Sequence, residues 1–185
     1  TCLDEGLEQL VILGAGYDSR PYRLTQLQER VKVFEVDHPA TQQVKIAKLR
    51  PILGKLPEHI VYVPIDFAQE TLAKLLASGY DQRLKTLFIW EGVTYYLPAG
   101  AVDSTLAFVA QNSGPGSSIV FDYLYASAIT GPLKRKELIS MRRYQRLTGE
   151  GVIFGIEEGT IEEFLERRGF YQIQNITSEV LKNTY

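Results

Sequence analysis

Leu10-Val-Ile-Leu-Gly-Ala-Gly-Tyr-Asp-Ser-Arg20 opens on four apolar residues and breaks at Gly14, Ala15 and Gly16. A short apolar run stopped by glycines reads as a buried strand that ends in a tight turn. Residues 31–36, 60–65, 86–90 and 118–123 repeat the apolar run, and residues 170–176 read as a sixth strand. Helical spacing lies between them. Leu72, Leu75 and Leu76 fall at i, i+3 and i+4 within 68–78, and Val102, Leu106 and Val109 repeat behind Pro98 within 98–111. Thr160-Ile-Glu-Glu163 predicts a capping box, with Gly169 ending that helix. Residues 50–58 hold Pro51, Gly54 and Pro57 and predict a loop. Nearly continuous apolar strands alternating with helices predict a doubly wound α/β fold, a mostly parallel sheet with helices on both faces.

The chain has 185 residues, 45% hydrophobic and 23% charged, which fits one globular domain spanning 1–185. Its 20 basic and 22 acidic residues leave a net charge of -2, so a duplex nucleic acid is not the expected partner. Cys2 is the sole cysteine, which excludes an intrachain disulfide and a cysteine zinc site and fits a cytoplasmic setting. No apolar run approaches the roughly 20 residues of a membrane helix, so no membrane partner is expected. The chain begins without Met and runs at once into its first strand, so truncation at the N-terminus is expected.

In open parallel sheets, ligands bind beyond the carboxyl ends of the strands, where the strand order reverses. The predicted strand ends deliver Asp18 and Arg20, then Glu35, Asp37 and His38, then Asp66 and Phe67, then Glu91 and Gly92. A dinucleotide loop would carry a third glycine near position 19. Ser19, Arg20 and Pro21 stand there instead, which disfavours a pyrophosphate and hence an NAD-dependent oxidoreductase. A carboxylate about 20 residues past the glycines suits the two hydroxyls of a ribose, and both Asp37 and Glu35 are placed for it. His38 reads as a rim residue and His59 as structural, at the amino end of its strand. Neither supports a histidine base or a metal site, and no metal is expected.

Three stretches in order carry a resemblance: residues 11–20, residues 33–39 (Val-Phe-Glu-Val-Asp-His-Pro) and residues 90–97 (Trp-Glu-Gly-Val-Thr-Tyr-Tyr-Leu). Together they resemble the leucine carboxyl methyltransferase family, in particular its bacterial S-adenosylmethionine-dependent O-methyltransferases. The resemblance implies a class I methyltransferase (Rossmann-like) fold with S-adenosyl-L-methionine as cofactor. It implies that Gly14, with Ala15, Gly16 and Arg20, forms the cofactor loop against the methionine part, and that Asp37 holds the ribose. Asp66 and Phe67 would frame the adenine, and Glu91 would face the cofactor. Family members also supply a basic residue from a helical segment ahead of the first strand, which has no clear counterpart here. A seventh, antiparallel strand is expected after Ile176, where nine residues remain.

Tyr95 and Tyr96 follow Glu91 and could line an acceptor pocket or pack as core aromatics. Residues 126–150 are long for a connection and rich in Lys134, Arg135, Lys136, Arg142, Arg143 and Arg146. They read either as a solvated helical face or as a lid-like insertion that draws an anionic acceptor. With no base in view, the expected acceptor is a small-molecule or peptide carboxylate, or an acidic hydroxyl. A non-catalytic nucleotide- or cofactor-binding regulatory domain on the same fold is the alternative.

Overall fold

The computed structural model describes residues 2–130, 151–177 and 180. Five strands form one sheet: β1 (Gln9–Leu13), β2 (Lys32–Asp37), β3 (Ile60–Pro64), β4 (Thr86–Trp90) and β5 (Ser118–Phe121). Their order is β3-β2-β1-β4-β5 and every pairing is parallel. The order reverses between β1 and β4, so the ends of these two strands and of β2 flank the switch point.

The helices are α1 (Arg20–Arg23), α2 (Thr25–Arg30), α3 (Pro39–Leu53), α4 (Ala73–Ala77), α5 (Ala99–Gln111), α6 (Ala126–Thr130) and α7 (Ile161–Glu166), with a 3-10 turn at Thr94–Tyr96. Alternation along β1 explains why the sheet is covered twice. Val11 and Leu13 enter a core with Leu72, Leu75, Val102, Leu106 and Val109. Leu10 and Ile12 enter a second, with Leu27, Val31 and Ile89. Each fully buried side chain of this size contributes about 1.5–3 kcal/mol. Among the described residues, no helix is long and apolar enough to cross a membrane.

Several expectations are corrected. Residues 50–53 are helical, because α3 runs through Pro51 to Leu53. A proline in the last turn removes one hydrogen bond only, near where the helix would end anyway. Residues 170–176 form no strand. Gln172 has φ +56, which breaks an extended run, and Phe170 and Ile173 pack onto the first core while Tyr171 stays exposed. The capping box does not form: the Thr160 hydroxyl donates to the Glu157 carbonyl at 2.9 Å, away from the helix. Gly169 does end α7, with φ +88 and the Phe170 N–H bonded to the Leu165 carbonyl. Leu76 is exposed, and only Leu72 and Leu75 of that triplet reach the core. The basic stretch at 134–146 lies outside the described residues.

Candidate functional site

Gly14 has φ +71, and a Cβ there would lie 2.3 Å from Val93 Cγ2. The glycine is thus required twice, by its left-handed backbone and by contact with the loop after β4. The N–H groups of Gly14 and Ala15 both donate to the Val36 carbonyl, at 2.8 and 3.0 Å, which folds the loop toward β2. Gly16 then donates its N–H to Asp37 Oδ2, and the His38 N–H donates to Oδ1 at 2.6 Å. Two backbone donors therefore aim the Asp37 carboxylate, which is 9% exposed at the end of β2. Burial pushes the Asp37 carboxyl up, against the pull of these two N–H groups.

Arg20 joins the loop to β4. Its Nη2 lies 2.7 Å from both Asp18 Oδ2 and Glu91 Oε2. Its Nε and backbone N–H also donate to the Asp18 carboxylate, each at 2.8 Å. Burial raises the Asp18 carboxyl, but the hydrogen bonds from Arg20 and the charges of Arg20 and Lys45 outweigh it and hold the group below its ordinary range.

Glu35, the competing ribose candidate, is not at the edge. It is 1% exposed and its Oε2 lies 2.8 Å from Lys45 Nζ, itself on a side chain only 4% exposed. Burial holds the Glu35 carboxyl above its ordinary range even with Lys45 pulling it down. Asp66 sits at the end of β3, where its carboxylate accepts from the Ala68 N–H and from Gln69 Nε2 at 2.9 and 2.7 Å. His38 Nε2 stands 4.0 Å from Asp66 Oδ2, at the rim between the β2 and β3 ends. His38 Nδ1 also caps α3 by accepting the Ala40 N–H. His59 bonds the Pro21 carbonyl at 3.1 Å, away from these ends. Phe67 packs partly buried on the first core.

On the β4–β5 side, the Gly92 N–H donates to Asp122 Oδ1 at 2.8 Å and Thr94 Oγ1 to the Asp122 carbonyl at 2.7 Å. The Tyr95 and Tyr96 rings are 4.7 Å apart. Burial, with the Asp122 charge and Tyr96 adding to it, pushes the Tyr95 hydroxyl up to about 12, so near neutral pH it is a donor. The Ile153 and Phe154 N–H groups bond the Tyr95 carbonyl at 2.8 and 3.2 Å, and Tyr125 bridges Ile156. Residues 151–156 thereby lie along this edge.

The structure therefore brings Gly14, Gly16, Arg20, Asp37 and Glu91 around the switch point, with Asp66 beyond Asp37. Sequence reasoning passed over Lys45, Val93 and Asp122. A buried-strand glutamate signals the need for a cation, and Asp122 closes the fifth apolar run as its counterparts close the others.

A parallel 3-2-1-4-5 sheet with a glycine turn after β1 and an acid after β2 defines the Rossmann-like class I fold. Human N-acetylserotonin methyltransferase, solved in complex with SAM, superposes with a TM-score of 0.56 at 18% identity, covering 92% of this chain and 44% of its own. The SibL S-adenosylmethionine-dependent methyltransferase, in its apo form, gives 0.56 at 13% identity, covering 92% and 46%. The leucine carboxyl methyltransferase model matches residues 1–110, and the chain belongs to that family. YktD of Bacillus subtilis (strain 168), which carries the name "Putative S-adenosyl-L-methionine-dependent methyltransferase", is 33% identical over 181 residues, 97% of this chain and 59% of YktD. A Mycobacterium ulcerans (strain Agy99) protein of the same description is 29% identical over 96% of this chain and 60% of its own. The chain thus spans about three-fifths of these relatives.

Proposed function

We propose that this chain is the core of an S-adenosyl-L-methionine-dependent methyltransferase that methylates an oxygen, foremost a carboxylate. The observation that carries the reading is the Asp37 carboxylate, aimed by the Gly16 and His38 N–H groups beside a loop without a third glycine. The donor set fits the cofactor: Asp37 accepts from ribose hydroxyls, Asp66 and Phe67 flank the base, and Gly14, Ala15, Gly16, Arg20 and Glu91 surround the methionine end. Bound there, the cofactor supplies an electrophilic methyl group on a sulfonium. Tyr95 and Tyr96 would line the acceptor side, Tyr95 as a neutral donor. A carboxylate acceptor is ionised at neutral pH, its ordinary pKa being near ~4, and needs alignment rather than a base. Alignment alone can supply about 7–11 kcal/mol.

Calorimetry tests the cofactor. S-adenosylmethionine and S-adenosylhomocysteine are expected to bind, and NAD to give no heat; the reverse pattern sinks the reading. Asp37→Ala is expected to weaken S-adenosylhomocysteine binding by about 1.5–3 kcal/mol, the range for a hydrogen bond to a charged group. Affinity within twofold of the wild type in a folded variant would refute the ribose role.

Asp122 tests the acceptor chemistry. Beside an anionic acceptor its charge repels and no proton needs removing, so Asp122→Asn is expected to leave kcat within threefold and to lower KM. Loss of kcat by a factor of 10² or more, the scale of a general base, would instead mean a hydroxyl or amine acceptor. A transfer assay over carboxylic acids, phenols, alcohols and amines completes the test. Carboxylic acids left inert while alcohols or amines react would overturn the proposal.

A further inference from the structure

Lys45 lies on α3, ten residues beyond Glu35, and its buried ammonium reaches past that partner. Nζ is 2.8 Å from Glu35 Oε2, donates to the Asp18 carbonyl at 3.0 Å, and stands 5.2 Å from the Tyr22 ring centroid. Asp18 in turn accepts two hydrogen bonds from Arg20, from its Nε and its backbone N–H, with Nη2 as an ion-pair contact, and Arg20 reaches Glu91. One chain of polar contacts thus runs from Glu35 on β2 through Lys45, Asp18 and Arg20 to the end of β4.

Docking α3 on β2 does not by itself call for an ion pair. Gln42, three residues before Lys45 on the same helix face, already donates to the Glu35 carbonyl at 3.0 Å. A buried ion pair gains little over an apolar pair of equal volume, because both charges are taken out of water. An apolar pair would leave the Asp18 carbonyl without the Lys45 donor, however, and reduce the ties of the loop to α3, among which Lys48 Nζ over the Tyr17 ring at 4.9 Å would remain.

We propose that Lys45 is a positioning residue that sets the conformation of the loop from Gly14 to Arg20 through the Asp18 carbonyl, with Glu35 as its buried ion-pair partner. The consequence for cofactor affinity rests on the methyltransferase reading; the consequence for the loop does not.

The experiment compares wild type, Glu35→Gln/Lys45→Met and Glu35→Gln by thermal unfolding, by hydrogen exchange without ligand, and by S-adenosylhomocysteine calorimetry. The double variant carries no unpaired charge and is expected to melt near the wild type. Its Asp18 and Arg20 amides are expected to exchange roughly tenfold faster, with Val11 and Phe34 unchanged, and its Kd to rise about tenfold, as for loss of a hydrogen bond from a charged donor. Glu35→Gln keeps the Lys45 bond to the Asp18 carbonyl, and once its lower global stability is normalised on the Val11 and Phe34 amides it is expected to exchange at Asp18 and Arg20 as the wild type does. Wild-type exchange and Kd in the double variant, or fast loop exchange in Glu35→Gln, would overturn the proposal and leave Lys45 as a counter-charge alone. Should the double variant not fold, Glu35→Gln decides by that same loop exchange. If wild type itself gives no heat with S-adenosylhomocysteine, the cofactor reading falls and exchange still decides the loop.

Discussion

Lys45→Met should destabilise the protein by about 3–5 kcal/mol, the typical loss when one partner of a buried pair is removed. The magnitude comes from Glu35, not from the attraction lost. Its carboxylate is 1% exposed and register-paired between Ile12 on β1 and Tyr62 on β3, where no water can replace the ammonium. Tyr22 and Tyr62, whose hydroxyls are 3.0 Å apart, pack beside it and are themselves held un-ionised by burial. Adding Glu35→Gln should return most of the loss, since a neutral amide is far cheaper to bury. Urea denaturation of the two single variants and the double variant measures this, and a loss below 1 kcal/mol for Lys45→Met would contradict the burial described.

Gly14→Ala is the second large effect. At φ +71 an alanine carries the left-handed penalty of about 1–2 kcal/mol. Its methyl would also sit 2.3 Å from Val93 Cγ2, and overpacking of that kind costs typically 1–3 kcal/mol. The combined loss of about 2–5 kcal/mol separates into its parts when Val93→Ala is added. That second change removes the clash but not the backbone strain, so stability should recover in part. Full recovery would mean the loop adopts the left-handed turn without cost, and no recovery would mean Val93 yields freely.

The parallel sheet was legible because its central strands are buried on both faces, and β1 and β4 above all read as nearly unbroken apolar runs. α3 was not, because the residues it turns inward are Gln42 and Lys45, while Val44, Ile52 and Leu53 face solvent. A helix that buries its polar side leaves no apolar stripe to find. Residues 170–176 misled for the converse reason. Phe170, Ile173 and Ile176 recur every three residues, not every two, and that spacing does not fit a strand. At the site, Asp37 was separated from Glu35 only by depth. Two residues on one strand face look alike in sequence, but one ends the strand and the other lies beneath a helix.

The close approach of Gly14 to Val93 has a bearing on any attempt to alter acceptor choice. Residue 93 precedes the two tyrosines proposed to line the acceptor side, which makes it an obvious position at which to widen or narrow that pocket. Yet it also acts as the wedge that sets the spacing between the loops after β1 and β4. A larger side chain there pushes first on the glycine turn, and a smaller one leaves that turn unsupported. Libraries aimed at new acceptors should therefore hold position 93 constant and vary Tyr95 and Tyr96, the residues proposed for the acceptor side.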